Sequence, residues 1–284
     1  MKNLDVFYHE KYTAPVHAFD TTRKSAEIAD RIDTIEPSSD TIKAAEALLG
    51  NHLDPDYLDA LRTGGDQELA ESNGFPWDEG IWEMAVHSTA GIIGAYQSAL
   101  RDGIAGSLSS GLHHANRNRG AGFCTANAIP LIAKLQTHLG ITAILDFDAH
   151  CGGGTVSDLR EMGIAGEVDQ FDISTNSFDH YQEDANHLIR IARTDDEYTG
   201  HVTDVLERLV DWRDTSLVIY NAGVDPYPEI SAETLKLRDE MVFEACVENN
   251  VPCLFVLAGG YTSVQSMDHL VGLHLNTITA AGDA

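Results

Sequence analysis

The sequence predicts an α/β fold with a largely parallel sheet, formed as a single domain over residues 1–284. Three observations carry this reading. Short apolar segments of strand length alternate with longer stretches whose apolar residues recur every three or four positions, the period of an amphipathic helix. Polar, glycine-containing clusters follow directly on the carboxyl ends of four of the apolar segments, the edge at which open parallel sheets bind ligands. The chain shows no internal repeat, no low-complexity run and no linker long enough to separate one domain from another.

The elements are expected in this order. A first strand covers Leu4–Tyr8, followed by a loop with Pro15 and a helical stretch around Ala26–Ile32. Helical spacing then recurs over Asp40–Leu49, Pro55–Arg62, Ile81–Arg101 and Thr125–Leu139, and later over Asp195–Trp212, Ser231–Asn249 and Val264–Thr279. Strand-length apolar segments are Ile141–Phe147, His187–Ala192, Ser216–Tyr220 and Pro252–Leu257, with a weaker one at Ile104–Leu108.

With 43% hydrophobic residues the chain can bury a sizeable core. Its formal net charge of −27 repels nucleic acid and anionic membranes, so neither is expected as a partner. Such an acidic surface suits either attraction of cationic substrates or solubility at high salt. No apolar run reaches the ~20 residues of a membrane helix, and the first residues lack the apolar core of a signal peptide, so a cytoplasmic location is expected. Cys124, Cys151, Cys246 and Cys253 form no C-x-x-C pair, which argues against a disulfide framework or a structural zinc ribbon.

The chemistry gathers in the polar clusters. Asp146, Asp148 and His150 are spaced by two, so an extended backbone turns them to one face. Cys151 and three glycines follow, allowing a sharp turn and close approach to a ligand. Asp225, beyond the Ser216–Tyr220 segment, is the natural third metal ligand beside Asp148 and His150. Two carboxylates and an imidazole leave a position open to water, the pattern of a catalytic zinc site; Fe2+ or another divalent ion could use the same ligands. One ion per chain is favoured, because Gly223 and Cys151–Gly152 stand where a binuclear site would need further carboxylates. The adjacent His113 and His114 are suited to moving protons near neutral pH. Tyr261, after two glycines, could stabilise a tetrahedral oxyanion.

Five segments in order resemble the motifs of the histone deacetylase family, which includes bacterial acetylpolyamine amidohydrolases: Gly111–Ala115, Gly122–Cys124, Asp146–His150, Gly223–Asp225 and Gly259–Tyr261. Pro76–Ile81 and the region of Arg23 extend the likeness over nearly the whole chain. The resemblance implies a three-layer arginase/deacetylase-like fold with a mostly parallel eight-stranded sheet. It implies hydrolysis of an N-acetyl or short acyl amide, on acetyl-lysine or a small acetylated amine. Asp148, His150 and Asp225 would bind one Zn2+, and Tyr261 would be the oxyanion donor. His113 and His114 would be base and acid, with Asp146 orienting His113. Phe123 would line the substrate channel and Gly122 would offer it a carbonyl. Potassium binding is also implied, with Asp146, Asp148, His150 and Ser174 as contributors.

The chain departs from that pattern in three places. Cys151 stands where a second histidine is usual. Gly153 stands where an Asp or Asn usually supports the second histidine of the pair, so His114 is expected to lack its orienting partner. The stretch after Asp225 is short, which suggests a wide or shallow mouth. Two other readings follow from the same residues: a binuclear ureohydrolase-type hydrolase, and a catalytically weak homologue that only binds an acyl ligand.

Overall fold

The strand-length apolar segments pair into one parallel sheet because each is apolar on both faces and needs cover on both. The computed structural model describes residues 4–15, 20–209 and 214–284. Its strands are β1 (Asp5–Phe7), β2 (Ile104–Ser107), β3 (Ile141–Asp146), β4 (Val168–Ser174), β5 (His187–Ile191), β6 (Thr215–Gly223) and β7 (Cys253–Ala258). Their order is β1-β2-β7-β6-β3-β4-β5, and all six pairings are parallel. The sheet has seven strands among the described residues, against the eight that the resemblance implies.

The helices are α1 (Asp20–Ala29), α2 (Ser39–His52), α3 (Pro55–Thr63), α4 (Gln67–Ala70), α5 (Gly80–Asp102), α6 (Ile129–Gln136), α7 (Gly153–Glu161), α8 (Asp195–Arg208), α9 (Ala232–Glu248) and α10 (Met267–Asp283). Side-chain alternation along the central strands sends residues into two separate cores. On one face Ala143, Leu145, Val218, Tyr220 and Phe255 pack with Tyr198 and Val202 of α8, Phe243 of α9 and Val271 of α10. On the other, Ile144, Leu217, Ile219, Leu254 and Val256 pack with Leu49 of α2, Tyr57 of α3, Ile92 of α5 and Ile132 of α6. The result is three layers, helices on either side of the sheet. Among the described residues no helix is long and apolar enough to cross a membrane.

Most expected elements occur within a few residues of their sequence limits. The expected end of one helix at Trp212 lies outside the described residues. α6 is shorter than the Thr125–Leu139 periodicity suggests, because the Asn127 side chain accepts from the Ile129 amide and starts the helix there. β4 is absent from the expected elements. Its Gln170, Asp172 and Ser174 alternate with apolar residues, a pattern foreign to an apolar run, yet all three are fully buried. Two of them are held by local hydrogen bonds: the Gly152 amide donates to Asp172 Oδ2 at 2.7 Å, and Gln170 Nε2 donates to Asp172 Oδ1 at 2.9 Å.

Candidate metal centre and active site

The carboxyl ends of β2, β3, β6 and β7 converge, and the polar clusters converge with them. β3 ends at Asp146, and the next two alternate residues are Asp148 and His150. β6 ends at Gly223, two residues before Asp225. A side chain at 223 would place its Cβ 2.5 Å from the Asp148 Cα, so only glycine lets the two ligand-bearing segments come this close. His150 Nδ1 lies 3.0 Å from Asp148 Oδ1 and 3.3 Å from Asp225 Oδ2. One ligand atom from each of Asp148, His150 and Asp225 lies within 4.8 Å of the others, the spacing of a shared ion.

Charge at this point favours a cation. The Asp148 and Asp225 side chains are both buried. Burial and the Asp148 charge push Asp225 above the usual carboxylate range. Asp148 is held low despite its burial, because His113 and His150 stand against it. Asp225 Oδ1 accepts from the Ala149 amide at 3.0 Å, while no described group donates a hydrogen bond to Oδ2. Two buried carboxylates with an unsatisfied oxygen and one imidazole are the donor set of a catalytic divalent-metal site.

His113 and His114 sit beside this cluster, ring centroids 4.0 Å apart. His113 Nδ1 donates to Asp146 Oδ2 at 2.7 Å, and its Nε2 faces Asp148 Oδ1 at 3.6 Å. Asp146 is itself fixed, since Asn221 Nδ2 donates to its Oδ1 at 2.8 Å. Burial alone would lower the His113 pKa, but the charges of Asp146 and Asp148 outweigh it and raise it to about 10. Burial and the neighbouring His113 push His114 the other way.

The expectation that His114 lacks an orienting partner is corrected here: its Nδ1 donates to Asp179 Oδ2 at 2.8 Å. That carboxylate comes from the loop after β4, a position that sequence adjacency to the glycines does not reveal. Tyr261 is half-buried and lines the cavity with His113, His114, Asp148 and His150. Burial and the charges of Asp225 and Asp148 keep its hydroxyl protonated well above its ordinary range.

The cavity these residues line measures about 20 Å3, room for roughly one water-sized group. Ser110, Leu112, Gly122, Phe123, Cys124 and Gly259 complete its walls. Leu112, Phe123 and Asp179 take left-handed backbone conformations (φ 56°, 66° and 57°), three of the four non-glycine residues that do so among those described. Such strain gathers at functional sites. Phe123, 42% exposed, stacks on Phe75 at 5.2 Å. Phe178, 52% exposed, sets its edge against His114 and His150 at 5.0 and 5.7 Å. The sequence offers no sign of Phe178 beyond an aromatic residue in a polar loop. A larger cavity of about 720 Å3 opens at the opposite edge, around Ile104, Pro252 and Ala284, away from all of these groups.

Two buried cations brace the site from below. Lys24 Nζ donates to the Gly259 carbonyl at 2.7 Å, and burial pushes its pKa down to about 7 against the pull of Asp225 and Asp148. Arg238 Nη1 donates to the carbonyls of Gly223 (2.6 Å) and Phe147 (3.2 Å), tying together the backbones that lead into Asp225 and Asp148. Its Nε donates to Asp239 Oδ1 at 2.9 Å. Neither residue stands out in the sequence, although Lys24 adjoins the Arg23 segment. Replacing Arg238 by methionine leaves Asp239 buried without its counter-charge, and is expected to cost about 3–5 kcal/mol. Urea denaturation of the variant checks this. Ser174, a potassium contributor by the resemblance, is fully buried at the end of β4.

Comparison with known proteins gives a consistent result. The family model of the histone deacetylase domain matches residues 9–278. Histone deacetylase 2 of Arabidopsis thaliana is 32% identical over 184 residues, covering 60% of this chain and 48% of that protein. An uncharacterised protein of Picosynechococcus is 26% identical, covering 81% of this chain and 80% of its own. Human histone deacetylase 1 is 25% identical, covering 77% of this chain and 51% of its own. The chain thus spans about half the length of the plant and human relatives. Among solved structures, an acetylpolyamine aminohydrolase from Burkholderia pseudomallei superposes with a TM-score of 0.73 at 16% identity, covering 98% of both chains, a likeness of fold.

Proposed function

Because the chain belongs to the histone deacetylase family, we propose that it is a metal-dependent deacetylase that hydrolyses an acetyl or similarly short acyl amide. The observation that carries this is the meeting of Asp148, His150 and Asp225 around one point, with the His113–Asp146 pair and Tyr261 beside it.

Asp148, His150 and Asp225 would hold the ion, Zn2+ by preference, one per chain. When bound, such an ion supplies Lewis-acid polarisation and makes water more acidic, toward a pKa of ~7. The remaining work falls to the chain. His113 and His114 take a proton from the attacking water and return one to the leaving amine, each with its Nδ1 anchored on a carboxylate. Asp146, locked by Asn221, holds the His113 ring in orientation. Tyr261, kept protonated, donates to the oxyanion. Phe123 and Phe178 wall the approach, and Gly122 offers its carbonyl to the amide of the acyl-bearing chain. A potassium ion near Asp146, Asp148, His150 and Ser174 belongs to the same proposal.

The test is a panel of substrates with metal-loaded protein: acetyl-lysine peptides, acetylated polyamines and a trifluoroacetyl-lysine probe. Release of acetate or trifluoroacetate, with a metal count near one per chain, is the expected outcome. A count near two favours a ureohydrolase-type site. Metal binding with no hydrolysis of any member favours a binding homologue.

A further inference from the structure

We infer that Asp179 is the positioning residue of His114, and that Gly153 and Cys151 shape the seat for the loop that delivers it. The inference rests on the deacetylase reading and deepens it.

The two departures from the family pattern touch the same loop. A Cβ at position 153 would lie 2.3 Å from the Asp179 carbonyl oxygen and 2.5 Å from Asp179 Oδ1, so the loop occupies the space a side chain there would need. The Cys151 amide donates to the Phe178 carbonyl at 3.0 Å, and its sulfhydryl to the Asn176 carbonyl at 3.7 Å. The amides of Thr175 and Asn176 both donate to the Ala149 carbonyl, at 3.0 and 3.1 Å. The loop is thereby stitched to the 149–154 segment that carries His150.

Asp179 is fixed within the loop. Its Oδ2 accepts from His114 Nδ1 at 2.8 Å and from the Gly154 amide at 3.1 Å, in the first turn of α7. An amide at a helix start favours a carboxylate, which orients the oxygen toward the imidazole. A carboxylate can only accept, so Nδ1 carries the hydrogen and Nε2 is left for the cavity. The preceding residue, Phe178, rests its ring on His114 at 5.0 Å. One short loop therefore sets both the orientation of a proton-carrying imidazole and the aromatic wall over it. A residue that enters the reaction through its neighbour's geometry can be worth ~10²-fold in rate.

The test measures kcat, KM and metal content for D179A, D179N and H114A, and for D179A combined with H114A. D179A is expected to lower kcat about 10²-fold with metal content unchanged. D179N keeps an acceptor oxygen for Nδ1 and is expected to recover some of that loss. In the H114A background D179A is expected to add no further loss, since the two act as one unit. If D179A does not fold, by circular dichroism, D179N combined with H114A carries the same comparison. Wild-type kcat in D179A, or losses that multiply with H114A, would overturn the inference. A wild-type protein that binds metal yet cleaves no acyl probe sinks the deacetylase reading instead.

Discussion

Asp225→Asn is expected to remove the bound divalent ion and the hydrolytic activity together, while leaving the fold intact. Asparagine keeps the size of the side chain and an oxygen to accept from the Ala149 amide, which Asp225 Oδ1 does at 3.0 Å. What is lost is the charge facing Asp148 and His150. That charge is unfavourable in the protein without metal, since burial and the Asp148 charge push Asp225 above the ordinary carboxylate range. The metal-free variant should therefore melt no lower than the metal-free wild type. Zinc should raise the melting temperature of the wild type, because a ligand that binds only the native state stabilises it, and should leave the variant unmoved. Hydrolysis should fall by about 10³-fold or more, the scale of losing a principal electrostatic stabiliser of the transition state. Metal analysis, thermal melts with and without zinc, and turnover on an acetylated probe check these three expectations. A variant that kept one ion per chain would remove Asp225 from the ligand set.

Tyr261→Phe is expected to lower kcat by about 10²–10³-fold with metal content unchanged and KM altered little. The substitution removes one oxygen and nothing else. The tyrosine lines the same cavity as His113, His114, Asp148 and His150. Burial and the two nearby carboxylates keep its hydroxyl protonated, so it donates across the working pH range. An interaction made only with the developing oxyanion appears in kcat, whereas one made equally with substrate appears in KM. A change confined to KM would recast Tyr261 as a substrate-binding group. Near-normal turnover would take it out of the reaction altogether.

How much of this is legible in the chain follows from where each residue's signal lies. Asp148, His150, Asp225, His113, His114 and Tyr261 stand directly after apolar runs, and a parallel sheet brings all such ends to one edge. Local order in sequence thus becomes proximity in space without any long-range inference. Asp179 has no such marker: it sits five residues past β4, itself hidden because Gln170, Asp172 and Ser174 are polar residues in a buried strand. The gap at Gly153 is visible in the sequence, but not what fills it, since the compensation comes from a segment 26 positions away and depends on the loop's path. Arg238 and Lys24 are silent for a related reason. A cation in a helical stretch reads as solvated surface, and only the fold reveals that both are buried.

The span made by Arg238 has a consequence for how the protein would take up a metal ion. By gripping the carbonyls of Phe147 and Gly223 at once, it sets the distance between two chain segments with a permanent charge. Loading therefore resembles filling a finished socket, unlike the zinc finger, whose polypeptide gathers itself around the ion. Metal exchange should leave the far-ultraviolet spectrum still, and a chelator should silence this protein without unravelling it.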